Sequence, residues 1–177
     1  EPLEDLIVKR AEWIVAKQQL DDPDSNFHCA YLPTNIDTGE NLTDPEEYAS
    51  PFGVESILSD AIFLAEKNLL YPDRMEIQSL EKFVDEFLRK SLQNPSNGAV
   101  GSSFIDSSST AVHFGRPQVY PMVSVFYHIL SKISRDAGTI SHDATFYLAQ
   151  AALTAKALAE QSDPASWRLI GLPLMAS

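Results

Sequence analysis

The chain has 177 residues, an apolar fraction of 44% and a formal net charge of -12. That length supports a domain with a core of its own. The acidity argues against nucleic acid and against an anionic membrane surface as partners, because phosphates and acidic headgroups are held by clustered Lys and Arg.

Five helical segments follow in chain order. The first is predicted over roughly Leu3 to Leu20, where Leu3, Leu6, Ile7, Ala11, Ile14 and Val15 recur at helical spacing. Trp13 reads as core, and Asp22-Pro23-Asp24 ends the segment. The second begins at Ser50-Pro51, a capping serine followed by a proline at the first helical position. Val54, Ile57, Leu58, Ala61, Ile62 and Ala65 line one face, and Phe63, Leu64 and Leu69 widen it, so this helix is expected to be deeply buried. Tyr71-Pro72 closes it. The third begins at Asp73, with Glu76 placed for a capping box. Its stripe is narrow (Ile77, Leu80, Phe83, Val84, Phe87, Leu88), with Glu81, Lys82, Asp85, Glu86, Arg89 and Lys90 facing away, and Asn94-Pro95 stops it. The fourth starts around Pro121 with a wide face from Met122 to Ile133, and Gly138 suits its C-terminal cap. The fifth is capped by Ser141. Its stripe comprises Tyr147, Leu148, Ala151, Ala152, Ala155, Leu158 and Ala159.

Narrow and broad apolar faces therefore alternate along the chain, as outer and inner helices of antiparallel hairpins would. The expected fold class is all-α. No run of eighteen apolar residues suits a membrane span. The one cysteine, Cys29, makes neither an internal disulfide nor a cysteine zinc site, and His28 beside it would point to the other face of an extended segment. Phosphate-binding glycine loops, serine elbows and dinucleotide fingerprints are absent, so no metal or cofactor is expected. The chain opens at Glu1 without a signal peptide, so residue 1 is expected to be a processed end or the edge of a piece.

Two connections are long, roughly Asp21–Ala49 and Asn94–Tyr120, and loops of this length commonly carry function. The first holds Phe27, His28, Tyr31, Asp37, Glu40 and Tyr48. The second holds Asp106, His113, Phe114, Arg116 and Tyr120. In an alternating hairpin array all inner helices run the same way. Both loops lead into inner-helix N-termini and so share one rim, above helix ends that favour anions. Asn41-Leu42-Thr43 fits the N-glycosylation pattern.

Three stretches carry a family resemblance. Trp13-Ile-Val-Ala-Lys-Gln-Gln19 resembles the opening helix of an α/α toroid. Phe52-Gly-Val-Glu55, with Asp60 and Phe63-Leu-Ala-Glu-Lys-Asn68, resembles an inner helix. Gly115-Arg-Pro117, with Val119-Tyr-Pro121 and Tyr127, resembles the start of the next inner helix. The chain thus resembles the α/α-toroid domains of glycoside hydrolases and polysaccharide lyases. The arrangement also resembles that of large secreted proteins of unassigned activity, in which the toroid is joined to a β-sandwich. The resemblance implies a polysaccharide or oligosaccharide ligand, an extracellular location and further domains of the same parent chain as partners. It also implies an incomplete toroid, since Trp167-Arg-Leu-Ile-Gly-Leu-Pro-Leu174 reads as the lead-in to another element.

Sugar hydrolysis uses two carboxyl groups flanking the bond. Glu55, one turn into an inner helix, is one candidate, and Asp37 or Glu40 is a candidate partner. The ordinary alternatives are a first-turn carboxylate facing the helix dipole and a turn-forming acid beside Gly39. Asp60, mid-helix, reads as part of a polar network or of an exposed turn. A lyase would instead use His113 or Tyr120 as base and Arg116 to neutralise a uronate, residues that also suit a loop-anchoring hydrogen-bond set. Phe27, Tyr31, Tyr48 and Phe114 are candidates for stacking on sugar rings, or for plugging the loops onto the helices. A different class of function, a helical-hairpin module that binds a partner protein, stays open beside the enzyme. The inner-helix starts are about seventy residues apart, longer than a solenoid period, which favours the enzyme.

Overall fold

A computed structural model of the chain describes residues 2–42, 53–101, 117–138 and 141–161. It contains α1 (Leu3–Trp13), continued by a wider π turn (Ile14–Gln18), and α2 (Gly53–Leu70). Then come α3 (Arg74–Lys82), continued by a second π segment (Phe83–Leu92), α4 (Val119–Asp136) and α5 (Ala144–Gln161). Among the described residues all regular structure is helical, apart from three isolated antiparallel bridges. The fold is all-α, and its helical hairpin packing is compatible with an α/α toroid. The predicted cap at Ser50-Pro51 and the segment Trp167–Leu174 lie outside the described residues.

The wide apolar faces of α2 and α4 lie at the centre. Leu58, Leu64, Phe126 and Leu130 are fully buried, as are Leu80, Phe83 and Phe87 from the α3 segment. Phe83 organises this core. Its ring stacks on Tyr31 at 5.0 Å and meets Phe126 edge-on at 5.6 Å. Such pairs add about 0.5–1.5 kcal/mol each beyond the area they bury.

The α2–α3 joint is short because side chains close it. Asp73 caps α3, its Oδ1 accepting from the Met75 and Glu76 amides. Only this half of the expected capping box forms. Glu76 turns instead toward α2 and binds Lys67 and Asn68. Asn68 Oδ1 in turn accepts from the Asp73 amide at 2.8 Å. Asp73→Ala is expected to lower stability by about 1 kcal/mol, the usual worth of an N-cap, read from the urea midpoint at unchanged slope.

Several sequence expectations are corrected. Leu3 and Leu6 belong to the predicted α1 stripe and Trp13 to the predicted core, yet all three are exposed, Trp13 by 47%. The helix turns Ala11, Ile14 and Gln18 inward instead, and one residue of helix rotates Trp13 about 100° away from Ile14. The α3 segment is not one-sided. Glu81 is buried and accepts from the Ser141 amide, while Asp85 meets the His142 ring at 2.8 Å. Ser141 is therefore not the cap of α5; Asp143 is, its carboxylate accepting from the Phe146 amide. The α5 stripe divides, with Tyr147, Ala151 and Leu158 buried and Leu148, Ala152, Ala155 and Ala159 exposed. Gly138 does end α4, at φ 79°, with its amide on the Ile133 carbonyl.

Candidate functional site

The N-terminal ends of α2 and α4 lie side by side. Gln118, the residue before α4, donates from Nε2 to Glu55 Oε1 in the first turn of α2 at 3.2 Å, across 63 residues of chain. At the opposite end, Tyr71 after α2 hydrogen-bonds Glu4 at the start of α1, so α1 runs antiparallel to α2. The C-terminus of α2 thus lies at one end, and the N-termini of α2 and α4 lie together at the other.

Each of the segments leading into α2 and α4 leaves its outer helix through the same local structure. The π turn of α1 closes with the Gln19 amide on the Ile14 carbonyl, and that of α3 with the Gln93 amide on the Leu88 carbonyl. The chain then extends and folds back, pairing Gln19 with Tyr31 and Gln93 with Val100. Tyr120, in the first turn of α4, is buried and hydrogen-bonds the Val100 backbone. Burial pushes its phenol up, and the Val100 backbone opposes this only partly. A raised phenol suits a buried anchor better than a base.

On the α1 side, Asp60 of α2 holds Arg10 at 2.8 Å and Gln18 Nε2 at 2.9 Å. Gln18 also donates to the Leu32 carbonyl. Asp60 therefore sits in the polar network expected of it. Burial raises its carboxyl above the ordinary range, with Arg10 and the Gln18 hydrogen bond acting against that rise.

The remaining candidates separate. Asp37 is exposed in a turn built by Asn35, whose Oδ1 accepts from the Asp37 and Thr38 amides. Asn41 is half-buried, paired with Thr34 across the same turn. Phe27 and Tyr31 lie in the core, where the Tyr31 hydroxyl is 2.7 Å from Ser79 Oγ and burial raises its phenol strongly. Neither ring offers an open face to a sugar. Tyr48, His113, Phe114 and Arg116 lie outside the described residues. Cys29 and His28 do not point apart. Cys29 adopts φ 64°, which turns its sulfur to within 3.4 Å of His28 Nε2. Burial raises the Cys29 thiol, so it is not poised as a thiolate.

Gln118 was not among the residues the sequence singled out. The signal available was its place, one residue before a helix that opens beneath a long loop. Among the described residues, no group of three or more His, Cys, Asp or Glu side chains is set to hold a metal ion. None of the helices there is long and apolar enough to cross a membrane.

No family model matches the chain, and no curated protein matches it. Among solved structures it is similar to a protein named polysaccharide lyase BACCELL_00875, with a TM-score of 0.72 at 22% sequence identity. The similarity covers 90% of this chain and 22% of that one, so the chain spans less than a quarter of that lyase's length. At this identity the likeness is one of fold.

Proposed function

We propose that this chain is part of a carbohydrate-active α/α-toroid domain, of the glycoside hydrolase or polysaccharide lyase kind. A polysaccharide or oligosaccharide would lie along the rim where α2 and α4 begin. The observation that carries this reading is the Glu55–Gln118 hydrogen bond, which joins the first turns of two central helices, into which the long connections lead. The lyase-like fold supports the substrate class.

Glu55 is the carboxyl group assigned to proton transfer, with Asp37 as the partner acid in a hydrolase. In a lyase, His113 would take the proton and Arg116 would neutralise the uronate, while Tyr120, the other base the sequence offers, is buried and serves as an anchor. Tyr48 and Phe114 are the stacking rings in this reading. Phe27 and Tyr31, being buried, serve by packing their loop onto the core. The location that goes with this reading is extracellular, with a glycan on Asn41 and other domains of a longer parent chain as neighbours.

The test is a panel of neutral and uronate-containing polysaccharides, followed by reducing-end release and by the ultraviolet absorbance of unsaturated ends. Reducing ends alone indicate hydrolysis; both signals indicate a lyase. Glu55→Gln keeps an acceptor for Gln118 and is expected to slow turnover by about 100-fold or more, the usual worth of a general acid or base. Full activity in a folded Glu55→Gln protein removes Glu55 from the chemistry. Absence of cleavage across the panel removes the enzyme reading.

A second reading, a helical interaction module, is favoured by exposed apolar side chains at the other end. Leu3 and Leu70 are each about 70% exposed, and Met75 nearly as much. It predicts partner binding that Glu55→Gln leaves unchanged.

A further inference from the structure

Gln19 and Gln93 occupy equivalent places in a structural repeat, and their hydrogen bonds run to corresponding elements of it. Each closes a π turn with its amide, as described above. Each then donates from Nε2 to the carbonyl of a positive-φ residue in the turn that follows it: Gln19 to Cys29 at 3.3 Å, Gln93 to Gly98 at 3.3 Å. Each also reaches the following outer helix. Gln19 donates to the Ser79 carbonyl of α3, 60 residues on, and accepts from Ser79 Oγ. Gln93 donates to Thr154 Oγ1 of α5, 61 residues on, and accepts from the Tyr127 hydroxyl. Gln93 is buried and both ends of its amide are satisfied, so its geometry is set from several directions at once.

We propose that Gln19 and Gln93 are positioning residues that hold the roots of the two rim segments in register with the next outer helix, and that Gln93 thereby places the Glu55–Gln118 pair. This rests on the functional reading above. The connection runs through contacts already described. Gln93 fixes Gly98, the chain from Gly98 to Val100 presents its backbone to Tyr120, and Tyr120 lies in the first turn after Gln118. A buried amide with two donors and an acceptor suits such a joint. It fixes a backbone direction without adding a charge that must be compensated.

The test is Gln93→Met, which keeps length and removes the hydrogen bonds, measured in the 15N-labelled 177-residue chain. Expected are a displaced side-chain amide signal for Gln118 and a roughly ten-fold loss of exchange protection at the Asn94 and Gly101 amides. Lys156→Ala, on the exposed face of α5, is expected to leave both unchanged. Thr154→Val removes only the far anchor and is the second variant should Gln93→Met fail to fold. On a polysaccharide that the wild type cleaves, kcat is expected to fall several-fold with KM nearly constant.

A Gln118 signal that stays in place while the Asn94 and Gly101 amides lose protection would overturn the placing role. Unchanged protection would overturn the positioning role altogether. Should the wild type cleave no polysaccharide, the functional reading fails, yet the two spectroscopic readouts still decide what Gln93 does.

Discussion

Replacing Lys67 by methionine is expected to cost about 3–5 kcal/mol of folding stability, the usual penalty for stranding one member of a buried ion pair. Lys67 Nζ lies 3.0 and 2.9 Å from the two carboxylate oxygens of Glu76, and the two side chains are only 4% and 6% exposed. Asn68 donates to the same carboxylate and to the Leu64 carbonyl, so the group closes the α2–α3 joint as a network. Removing the ammonium leaves a carboxylate among apolar neighbours with only amide donors. The pair itself contributes much less than its rupture costs, because both charges were desolvated to form it. The double variant Lys67→Met with Glu76→Leu is therefore expected to recover most of the loss. Urea unfolding of the two single variants and the double variant measures this directly. A Lys67→Met chain within about 1 kcal/mol of the wild type would mean that water reaches Glu76.

The second large effect is expected at Gly98. Its φ of 76° is a conformation that L side chains rarely adopt, and a Cβ there would sit 2.6 Å from the Leu153 carbonyl oxygen of α5. That oxygen belongs to helix backbone and cannot swing aside. Gly98→Ala is expected to lose about 3 kcal/mol or more, combining left-handed strain with overpacking. Gly39 separates the two contributions. Its φ is 73°, yet a Cβ there would meet nothing within 4 Å, so Gly39→Ala is expected to lose only about 1–2 kcal/mol. Thermal or urea melts of both variants give the difference, which measures how closely the rim root rests on α5. Equal losses would show that the root moves aside freely.

These positions illustrate how unevenly the sequence revealed the molecule. The α2 and α4 helices were legible because their apolar residues recur at helical spacing, and Asp73 because capping is a local pattern. Asp60, a polar residue mid-helix, suited a polar network or an exposed turn in the sequence, and only the structure shows its bonds to Arg10 and Gln18. Glu55 was legible as a first-turn acid, but its pairing with Gln118 was not. That contact joins residues 63 apart, and nothing local to either marks the other. Gln19 and Gln93 were invisible for the same reason: a glutamine that ends a helix is unremarkable until the next outer helix is seen beneath it.

Burial was less legible, for a common physical reason. Phe27 and Tyr31 stand in a long polar connection and suit either stacking on a sugar or plugging the loop onto the helices; the fold takes the second course. The chain folds that connection back on the outer helices, and rings with that much apolar area go to the core once it is within reach. Leu3 and Leu6 keep helical spacing with the buried Ala11 and Ile14, yet they are exposed. Spacing defines a face, but which face is covered depends on where the neighbouring helix lies.

The sequence by itself determined the all-α class, the helices and most of their ends, since these depend on interactions within a few residues. Tertiary structure alone decided which face of α1 is covered, which loop aromatics are core, and which side chains meet at the rim. Those outcomes depend on contacts between residues some 60 apart, and the periodicity of one segment carries no information about them.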